Sequence, residues 1–185
     1  IGSGLIAQAA ANIAPLLRRD KVAIVTDENV AVHHLDSLEA SLDSAGIASS
    51  AKVLKAGEGT KDWANLQDTV EWLLAENVER RDVVVALGGG VIGDLVGFAA
   101  AILRRGVRFV QIPTSLLAQV DSSVGGKTGI NSKAGKNLVG AFHQPSLVLA
   151  DIDVLDTLTE RDFLAGYGEV AKYGMLGDAA FFDWL

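Results

Sequence analysis

Three consecutive glycines, Gly88–Gly90, follow five apolar residues and precede a segment of small apolar residues. A strand, a glycine turn and a helix in this order bring backbone N–H groups and the positive end of the helix dipole towards an anion. Because glycine has no Cβ, a phosphate can lie against the backbone of such a turn. The sequence therefore predicts a site for a phosphate-bearing cofactor at Gly88–Asp94.

The spacing of these glycines supports two interpretations. Gly88, Gly90 and Gly93 form a G-x-G-x-x-G pattern, which in standard dinucleotide folds follows the first strand and precedes an acidic residue by about 20 positions. Here the pattern follows the third predicted strand, and no acidic residue lies at that distance. A close-packed structural turn is the alternative. Asp94 could complement the helix dipole or reach a ribose or substrate hydroxyl.

A second group of polar residues lies in Asp121–Gln144, which the sequence predicts to be one long loop. Gly125–Gly129 has P-loop character, but the glycine that a P-loop requires five residues before its Gly-Lys pair is replaced by aspartate. Lysines on glycine-rich turns can close over phosphates or carboxylates; a solvated basic loop is the alternative. The residues concerned are Asp121, Lys127, Lys133, Lys136 and Asn137.

Two acid–lysine pairs, Glu58 with Lys61 and Glu169 with Lys172, each have a spacing of three residues. The first follows the second predicted strand, at the sheet edge where parallel α/β sheets bind ligands. The second shares one face of a predicted helix with small neighbours that leave room for a ligand. For both, an ordinary ion pair is the simpler interpretation. The three histidines show no metal-ligand spacing.

Strands and helices alternate along the chain, which predicts an α/β fold with a Rossmann-like, mostly parallel sheet and helices on both faces. Residues 1–155 form this predicted domain. A Thr-x-x-Asp cap at Thr159 predicts a helix to about Met175, so residues 156–185 are expected to begin an all-helical domain. Strands are predicted at Lys21–Thr26, Ser50–Lys55, Asp82–Leu87, Arg108–Ile112 and Leu147–Ala150, and the main helix at Val91–Leu103.

Composition narrows the class of protein. The formal net charge of −7 argues against nucleic acid or an anionic membrane as the main partner. No apolar run approaches the roughly 20 residues of a membrane span, and no secretory leader is visible. The absence of cysteine fits a reducing, cytoplasmic location. The chain starts without methionine, so a fragment of a longer protein is expected.

Four motifs together resemble the 3-dehydroquinate synthase family: Gly88–Asp94, Ile112–Asn131, Gly135–Asn137 and Gly168–Lys172. The resemblance covers the whole chain and is most specific in Ile112–Asn131. It implies an NAD-binding α/β domain followed by a helical domain, in a carbon–oxygen lyase that acts on a phosphate. The implied reaction converts 3-deoxy-D-arabino-heptulosonate 7-phosphate to 3-dehydroquinate in the shikimate pathway. NAD is regenerated in each turnover, and a divalent metal, zinc or cobalt, is also required.

The resemblance also implies residue roles by matching position. Asp121, Lys127, Asn137 and Lys172 face the substrate, and Arg105 reaches across a homodimer interface to the partner's substrate phosphate. Glu169 is one zinc ligand; the two histidine ligands are expected beyond Leu185, so this chain alone is expected to be inactive. The implied NAD contacts are Asp27, Glu58, Lys61, Gly89, Gly90, Val91, Ile92, Gly93, Asp94, Thr114, Ser115, Lys127, Lys136, Val154, Leu155, Asp156 and Thr157.

Three alternative functions remain at this point. A related sugar-phosphate cyclase would share the glycine turn but use another sugar phosphate, although the intact Gly125–Asn131 block favours dehydroquinate synthase. A metal-dependent alcohol dehydrogenase would share the triple glycine and the domain order, and it would accumulate NADH. A non-enzymatic cofactor-binding module would bind NAD without turnover.

Overall fold

The computed structural model describes all 185 residues, and its centre is a five-stranded parallel sheet with the order β2-β1-β3-β4-β7. Two further strands, β5 and β6, form a separate antiparallel hairpin. The strands are β1 Lys21–Asp27, β2 Ala48–Leu54, β3 Val83–Gly88, β4 Arg108–Pro113, β5 Lys127–Ser132, β6 Gly135–Phe142 and β7 Leu147–Val148. The α-helices are α1 Ala9–Ile13, α2 Glu28–Val30, α3 Asp36–Ser44, α4 Trp63–Ala75, α5 Gly90–Ile102, α6 Glu160–Met175 and α7 Ala179–Trp184.

Both faces of the sheet are covered, as the sequence predicts. All six residues of β3 are buried, and their side chains alternate between two apolar clusters. Val84 and Ala86 pack with residues of α4 and α5, whereas Val83 and Val85 pack with residues of α1 and α3. The Rossmann-like parallel sheet is therefore confirmed, and its strands end at a common carboxyl edge that carries the glycine turn.

The prediction of one long loop over Asp121–Gln144 is wrong. A short π-helical turn, Ala118–Ser122, leads into the β5–β6 hairpin, which packs on α5. Gly129 and Gly140 face each other across the hairpin, and a Cβ on Gly129 would lie 2.6 Å from the Val139 carbonyl oxygen. These glycines therefore permit close strand packing and do not act as flexible loop residues.

Helix α6 begins and ends where the sequence predicts. The Thr159 hydroxyl accepts a hydrogen bond from the Asp162 N–H at 3.2 Å, which caps the helix, and the helix ends at Met175. Gly166 lies against the backbone of Leu117, so α6 packs on the segment that precedes the hairpin. None of the helices has the length and apolar character that crossing a lipid bilayer requires.

One buried carboxylate, that of Asp151, joins the start of the chain to the segment before α6. It accepts N–H hydrogen bonds from Gly4 at 3.0 Å, Ile6 at 2.9 Å and Asp153 at 3.1 Å. A fully satisfied buried carboxylate of this kind is a stabilising anchor. The 3₁₀ segment Ile152–Thr157 that follows is thereby fixed at the carboxyl edge of the sheet.

Candidate cofactor and anion site

Two neighbouring cavities lie around the start of α5 at the carboxyl edge of the sheet. The first, which we call the rim cleft, has a volume of about 740 Å³. It is bordered by the ends of β1, β3 and β4 and by the segment that leads into α6. Seven of the residues implied for NAD binding line it: Asp27, Gly89, Gly90, Val91, Thr114, Ser115 and Thr157.

The glycine turn gives the rim cleft a floor without side chains. Gly89 precedes α5, and no side chain caps the helix at that end. A Cβ on Gly89 would lie 3.4 Å from Ser115 Oγ, and one on Gly90 would lie 3.1 Å from Ser122 Oγ. Both the bare floor and the uncapped N–H groups suit a pyrophosphate. The turn is also tightly packed, because a Cβ on Gly88 would lie 2.7 Å from that of Ile92.

The opposite wall of the rim cleft is held by polar contacts. The Asp27 carboxylate accepts N–H hydrogen bonds from Asn29 at 3.0 Å and Val30 at 3.1 Å. Thr157 donates its hydroxyl proton to the Val154 carbonyl, so His34 Nε2, at 3.0 Å, donates to the Thr157 oxygen. Burial and the neighbouring charge of His33 lower the pKa of His34, against the opposing effect of Asp151. Neutral His34 therefore links the two sides of the cleft.

The second cavity, the anion pocket, has a volume of about 520 Å³ and lies between α5 and the hairpin. Asp121, Lys127 and Asn137, for which the family resemblance implies substrate contacts, line it together with Asp94. Lys127 is the one cationic residue of the lining. Ser122 lines this pocket and also lies beside Gly90 of the rim cleft, so the two cavities meet at these residues.

Asp94 belongs to the anion pocket and forms an ion pair with Lys61, whose Nζ lies 2.7 Å from its carboxylate. Burial raises the pKa of Asp94, and the charges of Glu58 and Asp121 act in the same direction, against the hydrogen bond and charge of Lys61. Asp94 is the fifth residue of α5, beyond its first turn. Its role as a simple complement to the helix dipole is therefore not supported.

Other residues implied for NAD binding lie outside the lining of the rim cleft. Lys61 is buried, and Glu58 accepts a hydrogen bond from Asn131 Nδ2 at 2.8 Å. Lys136 is exposed, with its Nζ 3.7 Å from Glu58. Ile92 and Gly93 are buried residues of α5. In the segment before α6, Val154 is buried, Leu155 packs against the apolar core and Asp156 is exposed.

Glu169 and Lys172 form an ion pair on α6, which is the simpler interpretation of their spacing. The hydrogen bond from Lys172 to Glu169 raises the pKa of the lysine. The Tyr173 hydroxyl donates to the Val120 carbonyl at 3.4 Å, which places this face of α6 beside Asp121. No group of three or more His, Cys, Asp or Glu side chains could hold a metal ion, so Glu169 stands as a single candidate ligand.

Arg105 lies apart from both cavities' linings. It follows α5, has a left-handed backbone with a φ of 65°, and is exposed just before β4 begins. The carboxyl edge carries the glycine turn, so Arg105 lies at the other end of α5.

Sequence reasoning missed Ser122, Asn131 and His34. Ser122 and Asn131 were hidden by the prediction of a loop, because a loop gives no register from which contacts could be inferred. The alternation of Thr128 and Ile130 with Lys127, Gly129 and Asn131 was the available sign of a strand in this region.

Comparisons with known proteins agree on one family. Residues 51–165 match the family model described as 3-dehydroquinate synthase N-terminal. The chain is 75% identical over all its 185 residues to a 3-dehydroquinate synthase of Jannaschia sp. (strain CCS1) and 73% identical to that of Roseobacter denitrificans. It spans about half the length of these curated relatives, 50% in each case.

Several solved structures have a fold similar to that of this chain. A 2-epi-5-epi-valiolone synthase from Streptomyces hygroscopicus, with NAD⁺ and Zn²⁺ bound, has a TM-score of 0.85 at 33% identity over 93% of this chain and 48% of the other. A 2-deoxy-scyllo-inosose synthase, complexed with carbaglucose-6-phosphate, NAD⁺ and Co²⁺, has a TM-score of 0.84 at 28% identity over 92% and 46%. An iron-containing alcohol dehydrogenase, at 20% identity and a TM-score of 0.74, shares the fold.

Proposed function

The chain belongs to the 3-dehydroquinate synthase family, and we propose from this that it supplies the NAD site and much of the substrate pocket of a 3-dehydroquinate synthase. The reaction converts 3-deoxy-D-arabino-heptulosonate 7-phosphate to 3-dehydroquinate with loss of phosphate. The observation that carries the proposal is the junction of two cavities, a glycine-floored cleft and a lysine-bearing pocket, at Gly90 and Ser122.

The rim cleft suits NAD. The bare N–H groups at Gly89–Val91 would hold the pyrophosphate, and Thr114 and Ser115 offer hydroxyl groups on the neighbouring strand end. Asp27 and Glu28 give the end of β1 a negative charge, where ribose hydroxyls can donate hydrogen bonds. When bound, NAD supplies reversible oxidation of an alcohol. Support also comes from the two related synthase structures that contain NAD⁺.

The anion pocket suits a sugar phosphate. Lys127 would neutralise the phosphate or the carboxylate of the substrate, while Asp121 and Asn137 would bind its hydroxyl groups. Asp94 is held by Lys61 about one helical turn along α5 from Gly90, where the two cavities meet. These residues would orient the reacting ring beside the cofactor and exclude water.

A divalent metal does not fit the residues of this chain on their own. A catalytic zinc needs three protein ligands and an open position, and Glu169 is a single carboxylate without ligating partners. Glu169 and Lys172 would complete the site from α6 only together with ligands from outside these 185 residues.

We propose a division at residue 155 between the α/β domain and the start of a helical domain, and a cytoplasmic homodimer. Arg105, exposed at the far end of α5, is the residue proposed to reach the partner's substrate phosphate. Neither nucleic acid nor a membrane is a proposed partner, given the net charge of −7.

The decisive experiment uses the full-length synthase that carries this chain. Lys127→Ala is expected to lower turnover about 100-fold, because it removes the pocket's cation, while NAD affinity stays within about twofold. Lys133→Ala, on the exposed hairpin turn, is the matched control and should keep wild-type turnover. Dehydroquinate formation and NAD binding are measured separately, and an unchanged rate in Lys127→Ala would remove this lysine from the mechanism.

A related sugar-phosphate cyclase is the second candidate, favoured by the fold shared with synthases that are 28% and 33% identical. An assay of several sugar phosphates separates the two, since a dehydroquinate synthase should accept only the seven-carbon acid phosphate. Neither function leaves a net change in NADH absorbance, whereas an alcohol dehydrogenase would.

A further inference from the structure

Asn131 lies outside the lining of both cavities, yet each of its polar side-chain atoms has a partner. It is located where the register of the hairpin shifts, between Ile130 and Ser132. Such irregularities re-aim a side chain out of the regular pleat. The backbone N–H of Asn131 donates to the Lys61 carbonyl at 2.8 Å, so β5 is attached at this point to the turn that follows β2.

The carboxamide of Asn131 uses its two ends differently. Its Nδ2 donates to Glu58 Oε1 at 2.8 Å, and its Oδ1 accepts from the backbone N–H of Asn137 at 3.0 Å. Only a group with a donor and an acceptor side by side satisfies both partners. An aspartate would keep the contact to Asn137 but face Glu58 with a second negative charge. An alanine would lose both contacts.

The contact to Asn137 fixes an unfavourable backbone conformation. Asn137 has a φ of 57°, in the left-handed region that asparagine adopts more readily than most non-glycine residues but still less readily than the α and β regions. Such a conformation persists where surrounding contacts determine it. The hydrogen bond from its N–H to Asn131 is such a contact, and Asn137 is the residue that brings an amide into the anion pocket.

The contacts to Glu58 and Lys61 reach the other side of the same pocket. Lys61 forms the ion pair with Asp94, which lines the pocket on α5. Glu58 lies 3.9 Å from Lys61 Nζ and 3.7 Å from Lys136 Nζ. One side chain therefore bridges the hairpin wall of the pocket and the turn that carries the buried lysine.

We propose that Asn131 is a positioning residue of the substrate site, which acts through Asn137 and through the Glu58–Lys61 turn without touching the substrate. The inference rests on the proposed function, since it assigns Asn131 to the pocket where a sugar phosphate binds. Asn131 holds the hairpin wall of the pocket, with Asn137, against the turn that carries Lys61, and thereby sets the affinity for the anion. The rim cleft, which Asn131 does not line, keeps its shape without it.

The test uses the full-length synthase and three variants: Asn131→Ala, Asn131→Asp and the exchange variant Asn131→Asp/Glu58→Gln. Asn131→Ala is expected to raise the substrate KM about tenfold with a smaller change in kcat and with NAD affinity within about twofold. Asn131→Asp is expected to raise KM as well, because two carboxylates then repel each other. The exchange restores a carboxamide–carboxylate hydrogen bond with reversed polarity. Because Glu58 is also an implied NAD contact, KM is measured at saturating NAD and compared with that of Glu58→Gln alone, and the exchange should bring KM most of the way back to the value of that single variant.

The matched control is Ser132→Ala, which removes hydroxyl contacts to Gly135 and Ala134 in the same hairpin turn and should leave KM unchanged. A role limited to holding the hairpin together would lower Tm in all variants without this KM pattern. Wild-type KM in Asn131→Ala, or no recovery in the exchange variant, would overturn the inference. If Asn131→Ala does not fold, Asn131→Asp and the exchange variant decide.

Binding of inorganic phosphate, followed by calorimetry, separates this inference from the proposed function. A wild-type protein that makes no dehydroquinate from any preparation contradicts the proposed function alone. Phosphate affinity that falls about tenfold in Asn131→Ala and recovers in the exchange variant would still support the positioning role. Equal phosphate affinity in all variants would contradict it.

Discussion

The glycines at the end of β3 and the start of α5 differ in what a side chain at each position would contact. Gly88 packs against Ile92, and Gly93 packs against the amide of Gln111, so both are required by the fold. Gly89 instead borders the rim cleft, with Ser115 Oγ as its nearest contact. The close-packed interpretation and the ligand-binding interpretation of this turn therefore apply to different glycines of one motif.

Gly89→Ala should weaken NAD binding about tenfold while leaving Tm within about 2 °C of wild type. Its φ of −71° accepts alanine without strain, so the new methyl group occupies the cleft floor and does not distort the turn. Calorimetric titration with NAD measures the effect. Gly168→Ala, on α6 where nothing lies within 4 Å, is the control and should bind NAD normally; equal affinity in both variants would refute the pyrophosphate site.

Lys61→Met should destabilise the protein by about 3 kcal/mol at neutral pH, because Asp94 is then left charged and half-enclosed without a partner. Burial already raises the pKa of Asp94 above its usual 3.8, so the stability contributed by this group falls as pH rises through the window above 3.8. Loss of Lys61 extends that window upward. Thermal melts should show a larger deficit at about pH 8 than at about pH 4.

Lys61→Met/Asp94→Asn is the companion variant. It removes both charges and should recover most of the lost stability, with no remaining pH dependence from this pair. A deficit of Lys61→Met that is the same at both pH values would contradict the pairing with an ionised Asp94.

At the residue scale, the sequence predicts which polar residues gather in the anion pocket better than it predicts the contacts that those residues make. Asp121, Lys127 and Asn137 come together in one pocket, and their residue types and glycine neighbours are visible in the sequence. The burial of Lys61 is not visible in the sequence, because a lysine next to a glycine turn is normally solvated. The tertiary position of Asp94 on α5 provides the close partner, 2.7 Å from Lys61 Nζ, that allows the lysine to be buried, whereas Glu58 lies farther away at 3.9 Å.

At the element scale, the hairpin decides the shape of the anion pocket. Ile130 is fully buried in the cluster below α4 and α5, and Thr128 lies against Gly97 on α5. The pocket walls are therefore set by the distance between a hairpin and a helix, and that distance depends on the absence of a side chain at Gly97.

Gly97→Ala should destabilise the protein by about 2 kcal/mol. Its Cβ would contact the Thr128 methyl group and lie 3.2 Å from Phe109 Cζ. Alanine is the better helix former by about 1 kcal/mol, so any loss of stability in urea reports the hairpin contact. Adding Thr128→Ser removes the methyl group and should recover part of the loss; a stabilised Gly97→Ala would show that the hairpin does not pack there.

The strands of the parallel sheet could be predicted because β1 and β3 contain continuous apolar runs bounded by turns, and the apolar residues of β4 are interrupted only by Gln111. The hairpin was missed, because Gly125–Gly129 and Gly135–Lys136 have the composition of loops and outweigh the short alternation around Thr128 and Ile130. Two facing glycines in an antiparallel pair lower the β propensity of both strands, but they allow the two backbones to approach closely. The close approach stabilises the hairpin only because the hairpin packs on α5, and a local sequence pattern does not reveal that packing.

At the scale of the whole molecule, the two cavities share one wall, the first turns of α5. The order of the central strands, with β3 in the middle, places the glycine turn between the end of β1 and the end of β4. The alternation of elements predicts a parallel sheet but not this order, since crossovers on either side satisfy the same pattern.

The isolated 185-residue chain is expected to bind NAD weakly and to form no dehydroquinate. It has the rim cleft, but Glu169 is without the further ligands that a catalytic metal requires. The measurement is a product assay beside NAD titration, with the full-length synthase as the positive control. Sustained turnover by the isolated chain would show that the site needs nothing else.

The carboxylate of Asp151 has a consequence for the order in which the molecule is completed during synthesis. Gly4 and Ile6 obtain their acceptor only after some 145 further residues have left the ribosome, and contacts of such long sequence separation form slowly. The segment that contains Gly4 and Ile6 is therefore expected to dock only after the chain as far as Asp151 is available. The segment from Asp151 to Thr157, which borders the rim cleft, is fixed in place by the same late contacts of Asp151.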